Sequence, residues 1–319
     1  MHPTLLAWKT GVSWLGTIEI TSYSVAMAAG FIVGTVLLWR WARREGIDTR
    51  DATDLAIWMV VFGLVGAKLL HVVADGFLME YVYACVDPSQ VFWDKWRVSA
   101  AYCRELGGNA VRDAAGAYAG CVPTERNCLG WINLFAGGYT FYGGLLAAGA
   151  AAFVLARRRG LPLWRTVDTL MWIVMLGLGL GRIGCFLNGC CFGRATGSWI
   201  GVVFPQGSPA WVQHGRQGLI GPRDAPLPVV PTQLVEAAFV FALAAFLRFV
   251  VEPRRRYEGQ VFTVGLAAYA VGRIVLETFR ADPRGAVLGI STSQIVAALA
   301  LAGAFVLHRR PAARLDAAG

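Results

Sequence analysis

The strongest constraint on the fold of this chain is a set of long apolar segments that recur along its length. Each is close to the ~20 residues that an α-helix needs to cross ~30 Å of hydrocarbon. We therefore expect an all-α, polytopic membrane protein whose 319 residues form one transmembrane domain with seven transmembrane helices. The segments lie at about 21–40, 54–74, 139–156, 165–187, 232–250, 260–279 and 288–307.

Arginine clusters mark one end of these segments and predict the topology. By the positive-inside rule, this pattern puts the N-terminus outside and the C-terminus in the cytoplasm. It also accounts for much of the net charge of +9, and because no nucleic-acid motif accompanies the arginines, no nucleic-acid partner is predicted. The clusters are Arg40, Arg43 and Arg44 after the first segment, Arg157, Arg158 and Arg159 after the third, Arg254, Arg255 and Arg256 after the fifth, and Arg309 and Arg310 after the last.

Two longer polar stretches, 76–137 and 189–230, fall on the outer side in this topology. The first contains four cysteines, which on an oxidising side favour one or two disulfides in a small extracytoplasmic head. The pairing stays open, as does the alternative that these residues are unpaired small apolar side chains. Their spacing fits no zinc template, and we predict no metal and no cofactor. The four are Cys85, Cys103, Cys121 and Cys128.

Ionisable residues within the apolar segments are the first functional candidates. A charge at the centre of a membrane helix costs about 2.5–3.5 kcal/mol, so such residues usually have a role. Arginine recognises phosphate through its planar fork, and several arginines near the outer leaflet predict a lipid phosphate as the ligand. The alternative is that they reach the headgroups or form structural ion pairs. The residues are Lys68, His71, Asp168, Arg182, Arg273, Glu277 and Arg280.

One stretch, 181–194 (GRIGCFLNGCCFGR), carries more chemistry than any other. It combines Arg182 and Asn188 with the three cysteines that lie outside the predicted head, Cys185, Cys190 and Cys191. A thiol beside an arginine can be activated, but free cysteine also packs as a small apolar residue.

These motifs, in this order, resemble the prolipoprotein diacylglyceryl transferase family. Members of that family move the diacylglyceryl group of phosphatidylglycerol to the thiol of a lipobox cysteine in a secreted prolipoprotein. The resemblance implies a multi-pass protein of the bacterial cytoplasmic (inner) membrane with an active site toward the outer leaflet of the bilayer. The matching blocks are 66–69 (GAKL), 139–145 (YTFYGGL), 181–184 (GRIG), 188–189 (NG), 231–234 (PTQL) with Glu236, and 272–273 (GR) with Glu277 and Arg280.

The resemblance also implies roles for individual residues. Arg182 would bind the lipid headgroup, and Arg273 and Glu277 would act at the reacting phosphate ester. Tyr142 stands just before Gly143-Gly144, where the family usually has a histidine that assists proton transfer. The other residues implied to bind lipid or line the cavity are Tyr23, Lys68, Asn188, Glu236 and Arg280.

Departures from the family pattern leave three hypotheses open. The family usually has asparagine where this chain has Cys185, glutamate where it has Cys190, and often histidine where it has Val230. The first and favoured hypothesis is a diacylglyceryl transferase in which Tyr142 or another group replaces the histidine. The second is a paralogue that uses a cysteine to transfer a lipid-derived group to another acceptor. The third is a non-enzymatic membrane thiol site that binds a soft metal or responds to redox state.

Overall fold

The computed structural model of the protein describes residues 4–9, 17–74, 77–96, 98–134, 138–221, 223–280, 286–287 and 290–309. Parts of the predicted segments and loops lie outside these described ranges, namely residues 76, 97, 135–137, 222 and 288–289. The α-helices described are α1 (Ser22–Arg44), α2 (Thr49–Ala74), α3 (Leu78–Val86), α4 (Ala100–Glu105), α5 (Phe141–Arg158), α6 (Leu163–Asn188), α7 (Pro209–Arg216), α8 (Thr232–Phe246), α9 (Gln260–Glu277) and α10 (Thr292–Arg309).

Short strands accompany the helices and were not anticipated from the sequence. They form antiparallel pairs β1–β2 and β6–β7 and one three-stranded sheet in the order β3-β5-β4. The strands are β1 (Thr4–Lys9), β2 (Thr17–Thr21), β3 (Trp93–Asp94), β4 (Asn109–Arg112), β5 (Tyr118–Val122), β6 (Ala286–Val287) and β7 (Ile290–Ser291).

Six of the described helices are long and apolar enough to cross a membrane. They are α1, α2, α6, α9, α10, and α8 together with its continuation through Leu247–Val251 and Glu252–Arg254. This confirms a mostly helical, multi-pass membrane protein. The helix α5 corresponds to the predicted segment 139–156 but is not among the six, because Arg157 and Arg158 at its end lower the mean hydropathy of its 18 residues.

Large apolar side chains cover the outer surface of the bundle. Ile32, Leu146 and Phe249 are between 65% and 72% exposed, although they belong to helices that also contribute residues to the interior. A soluble monomer rarely exposes extended apolar surface of this kind. In a bilayer these side chains contact lipid chains, so their exposure carries no hydrophobic cost.

Helix α5 packs antiparallel to α2 through glycine contacts. A Cβ added at Gly66 would lie 2.6 Å from the carbonyl oxygen of Gly143, so the two backbones touch. At the other end of the pair, Arg159 forms ion pairs with Asp51 at 2.8 Å and Asp54 at 2.6 Å. The helix α5 therefore follows α2 over most of its length, and this contact places Tyr142, the neighbour of Gly143.

Gly143→Ala is expected to destabilise the protein by about 1–3 kcal/mol, because the added methyl group overpacks a backbone contact. Gly149→Ala is the matched control on the same helix, since no atom lies within 4 Å of a Cβ added there. Thermal unfolding of both variants in detergent micelles checks this. An equal or smaller loss for Gly143→Ala than for Gly149→Ala would contradict the α2–α5 contact.

Asp168 has a structural role at the other end of the bundle from Gly143. Its side chain is 1% exposed, and its carboxylate accepts hydrogen bonds from the backbone N–H of Gly259 at 2.9 Å and Phe262 at 2.8 Å. These groups lie at the start of α9, where helix N–H groups have no partner within the helix. Asp168 on α6 therefore caps α9 and fixes the position of the helix that carries Arg273.

The polar stretch after α2 folds into a small head with two disulfides. Cys85 pairs with Cys128, and Cys103 pairs with Cys121. Cys103 and Cys121 are fully buried and form, with Val98, the centre of the head. The expectation of one or two disulfides is confirmed, and the structure supplies the pairing that the spacing left open.

The head rests on the second polar stretch, the one between α6 and α8. Arg216 forms an ion pair with Asp94 at 2.8 Å, and the rings of Trp96 and Trp211 meet edge to face at 4.8 Å. Gly215 lies directly under the Trp96 ring, where a side chain would clash. The two stretches therefore form one polar layer at the end of the bundle opposite Asp168.

Acidification is expected to loosen this layer through His214, whose side chain is 3% exposed. Its Nδ1 accepts a hydrogen bond from the N–H of Leu227, and burial lowers the pKa of the imidazole. Because the folded pKa lies below the unfolded value of about 6.5, the stabilisation is complete above that pH and is lost as the pH falls below it. Hydrogen exchange of 189–221 at falling pH measures the effect. His214→Asn should make the hydrogen exchange of this stretch less dependent on pH. A pH dependence equal to that of the unaltered protein would contradict the role of His214.

Candidate functional site

The candidate site is a cluster of charged side chains between α6, α8 and α9, centred on Glu236. The Glu236 Oε2 atom lies 3.1 Å from Arg182 Nε, 3.9 Å from Arg273 Nη1 and 3.8 Å from Arg280 Nη1. The Glu236 side chain is 1% exposed. One buried carboxylate thus faces three guanidinium groups from two other parts of the chain.

A second carboxylate belongs to the same cluster. Glu277 lies one helical turn after Arg273, and its Oε2 atom is 2.7 Å from Arg273 Nη2. This pair confirms the contact that the spacing of four predicted. Arg273 Nη2 also donates to the Ser293 hydroxyl at the start of α10, at 3.2 Å. The Arg273 side chain is therefore fixed by groups from three helices.

The cluster carries an excess of positive charge and has unused hydrogen-bonding capacity. Three arginines against two glutamates give a net charge of 3 − 2 = +1. Within the described residues, hydrogen bonds of good geometry are missing both for the buried donors Arg182 Nε and Arg273 Nη1 and for the carboxylate oxygens of Glu236, although these groups form ion pairs. Because an uncompensated buried charge is costly, the excess of one positive charge makes the cluster suited to a bound anion.

Local sequence explains how these side chains reach one place. Helix α6 ends at Asn188, because the next residue, Gly189, adopts a left-handed φ of 74° and so stops the helix. Pro231 precedes α8, and a proline there sets the start of the helix that carries Glu236. Close packing follows from small residues, because a side chain at Gly179 would overlap the Phe241 ring of α8.

Two tyrosines, Tyr23 and Tyr269, lie within electrostatic range of the cluster, and the sequence analysis did not identify Tyr269. Tyr269 is partly buried and lies within electrostatic range of Arg182, Arg273, Glu236 and Tyr142. It precedes Arg273 by four residues on α9, so helical spacing alone could have identified it. Tyr142 lies within electrostatic range of Tyr269, which connects it to the cluster. The Tyr142 ring packs edge to face on Phe141. Tyr23 on α1 lies within electrostatic range of Arg182.

Lys68 lies at the boundary between α2 and the head. It is 4% exposed, and its Nζ atom is 5.7 Å from the centres of both the Tyr81 and Tyr139 rings. On the same helix, His71 stacks on Phe77 with the ring centres 4.5 Å apart. These contacts place both residues where the bundle meets the polar layer.

The three cysteines of 181–194 also come together. Their Sγ atoms all lie within 4.8 Å of one another. Cys185 is buried, whereas Cys190 and Cys191 are partly buried, and all three are free thiols. Cys185 and Cys191 lie within electrostatic range of Arg182, and all three cysteines lie within electrostatic range of Tyr23. The structure thus brings the thiols close to the arginine cluster.

These features define the class of protein. It is a multi-pass helical membrane protein with an internal, positively charged site of arginines and glutamates, which suits an anionic ligand.

Comparison with known proteins gives the family. The family model for prolipoprotein diacylglyceryl transferase matches residues 11–97 and 115–309. The chain therefore belongs to the prolipoprotein diacylglyceryl transferase family. It is similar to phosphatidylglycerol–prolipoprotein diacylglyceryl transferase 2 of Clostridium perfringens, with 25% identity over 91% of both chains. It is also similar to the phosphatidylglycerol–prolipoprotein diacylglyceryl transferases of Clostridium tetani (26% identity, 91% of this chain and 93% of the relative) and Rhodococcus jostii (26% identity, 93% and 71%).

Proposed function

We propose that this protein transfers the diacylglyceryl group of phosphatidylglycerol to the lipobox cysteine thiol of a secreted prolipoprotein. The observation that carries this proposal is the buried cluster of Arg182, Arg273 and Arg280 around Glu236, with its net charge of +1. The phosphate of phosphatidylglycerol bears one negative charge and would neutralise it. Family membership and the names of the relatives support the same reaction.

In this reaction the thiolate of the acceptor attacks the glyceryl carbon, and the carbon–oxygen bond to the phosphate breaks. The products are a thioether and glycerol phosphate. Arg182 and Arg273 would hold the phosphate and stabilise the negative charge that grows on the leaving oxygen. Glu236 and Glu277 would orient these arginines, while Arg280, Asn188, Lys68 and Tyr23 would line the lipid-binding cavity.

The thiol must lose a proton, and we assign Tyr142 to this step: in its phenolate form it would accept the proton and become the neutral phenol, with Tyr269 within electrostatic range of it. Tyr142→Phe is expected to lower kcat by about 10²-fold, the usual contribution of proton transfer, with little change in KM for the lipid. Tyr142→His is expected to retain activity. Tyr118→Phe, in the head, is the control, and full activity of Tyr142→Phe would exclude the assignment.

The alternative, a cysteine-dependent transfer, is weaker on chemical grounds. A diacylglyceryl group passed to Cys185, Cys190 or Cys191 would form a thioether. An alkyl thiolate is a poor leaving group, so the second transfer would stall. Single cysteine-to-serine variants separate the two functions, because direct transfer to the acceptor does not require an enzyme thiol.

The proposal is tested with purified protein in vesicles that contain phosphatidylglycerol and a lipobox peptide. The expected result is a peptide heavier by one diacylglyceryl group, with release of glycerol phosphate and no product from a peptide whose cysteine is replaced by serine. The Clostridium tetani relative in the same vesicles is the positive control. Product from the relative but none from this protein would refute the proposal.

We further propose seven spans, with α5 as the third, the N-terminus outside, and the site toward the outer leaflet of the bacterial inner membrane. The stretches 76–137 and 189–230 would be extracytoplasmic. The antiparallel contact of α5 with α2 and the disulfides opposite the arginine-rich end support this arrangement. In a protein whose free thiols Cys185, Cys190 and Cys191 are replaced by serine, a membrane-impermeant thiol reagent should label Glu125→Cys in intact cells and Arg44→Cys only after permeabilisation. The reverse pattern would invert the topology.

A further inference from the structure

We infer that Cys185, Cys190 and Cys191 form a binding site for a thiophilic metal ion of the class of Cu⁺, Zn²⁺ and Cd²⁺. The reaction proposed above makes no use of these thiols, and the inference does not depend on it. A metal ion bonded to three sulfurs at ~2.3 Å in a plane leaves the sulfurs ~4 Å apart. The three Sγ atoms already lie within 4.8 Å of one another, so small side-chain adjustments complete the site.

The backbone is arranged so that two adjacent cysteines face the same point. In an extended chain, neighbouring side chains point to opposite sides. Here Cys191 has φ 62° and is the one non-glycine residue with a positive φ in the part of the chain that the structure describes. Together with Gly189 at φ 74°, it turns the chain back over the last turn of α6, where Cys185 lies.

This conformation is costly, and specific contacts maintain it. A left-handed conformation is unfavourable for a non-glycine residue and persists where its surroundings fix it. The Thr232 hydroxyl donates to the Cys191 carbonyl oxygen at 3.0 Å, and Gln233 Nε2 donates to the Cys190 carbonyl oxygen at 2.7 Å. The Cys190 N–H donates to the Cys185 carbonyl oxygen at 3.1 Å. Metal sites depend on such supporting contacts around their ligands.

The charges around the thiols favour bound thiolates. Binding requires the thiols to release their protons to solvent, which leaves a net charge of −1 for a divalent ion and −2 for a monovalent ion. Arg182 and Arg280 both lie within electrostatic range of Cys191, so their positive charges attract the thiolates. Soft sulfur ligands select soft metal ions over Mg²⁺ or Ca²⁺.

These three cysteines also differ from the other four. Cys85, Cys103, Cys121 and Cys128 are closed in two disulfides, while the trio remains as thiols. The structure thus holds three free thiols beside the arginine cluster.

The test titrates the purified full-length protein with Cd²⁺, without reductant so that the disulfides stay closed. The expected results are one Cd²⁺ per chain, a sulfur-to-metal charge-transfer absorption, and protection of three thiols from alkylation. Each of Cys185→Ser, Cys190→Ser and Cys191→Ser should weaken binding by more than about 100-fold. Cu⁺ supplied from a competing chelator should displace the Cd²⁺.

Two controls keep the result interpretable. The double variant Cys85→Ser, Cys128→Ser retains the trio and should bind Cd²⁺ as the unaltered protein does. If the serine variants unfold, Gln233→Ala preserves all three thiols and should weaken binding by about 10–100-fold, because it removes a supporting contact. Absence of stoichiometric Cd²⁺, or binding that leaves the three thiols open to alkylation, would overturn the inference and leave them as small packing residues.

Discussion

Glu236→Gln is expected to be among the most destabilising single substitutions in this protein, with a loss of about 3–5 kcal/mol, the usual cost of breaking a buried ion pair. The carboxylate is 1% exposed and contacts three guanidinium groups at 3.1–3.9 Å. Glutamine keeps the shape but removes the charge. The site charge would then rise from +1 to +2, with three arginines held close together and one glutamate left.

Glu252→Gln is the matched control for this prediction. Glu252 lies in the continuation of the same helix and pairs with Arg248 at 3.2 Å, but its side chain is 18% exposed and that of Arg248 is 31% exposed. Partly exposed pairs contribute about 0–1 kcal/mol. Thermal unfolding of both variants in micelles gives the comparison. Equal midpoints for Glu236→Gln and Glu252→Gln would show that Glu236 does not organise the arginines.

The membrane helices were predictable because lipid imposes one dominant requirement, a long apolar helix. The predicted segment 165–187 lies within α6, and 232–250 lies within α8 and its continuation. The short strands of the head were not predictable in this way. A strand such as β3, two residues long, has no periodicity to detect, and its place depends on the disulfide between Cys103 and Cys121.

The candidate site was predictable in its residue types and only partly in its contacts. The pairing of Arg273 with Glu277 is local to one helix, so spacing revealed it. The meeting of Glu236 with Arg182 depends on how α6 packs against α8, which no local pattern encodes. Cys191 is a similar case, since nothing in its neighbours dictates a left-handed backbone.

Arg182→Gln is expected to lower kcat/KM for phosphatidylglycerol by about 10²–10³-fold, the usual effect of removing one preorganised donor from a developing negative charge. The substitution takes the net charge of the cluster from +1 to zero, so the phosphate loses both a fork of donors and the charge that attracts it. Arg182→Lys keeps the charge without the planar fork of donors, so its kcat/KM should lie between those of the unaltered protein and Arg182→Gln.

Arg248→Gln serves as the matched control for Arg182→Gln, because it removes an arginine from a carboxylate pair outside the cluster. Its kcat/KM is expected to stay within about twofold, as for a weak, partly exposed pair. Initial rates at varied phosphatidylglycerol content in vesicles separate kcat from KM, and unfolding midpoints confirm that both variants are folded. If folded Arg182→Gln keeps the kcat/KM of Arg248→Gln, the lipid phosphate does not bind at this cluster, because a phosphate held there would lose the charge and the donors of Arg182.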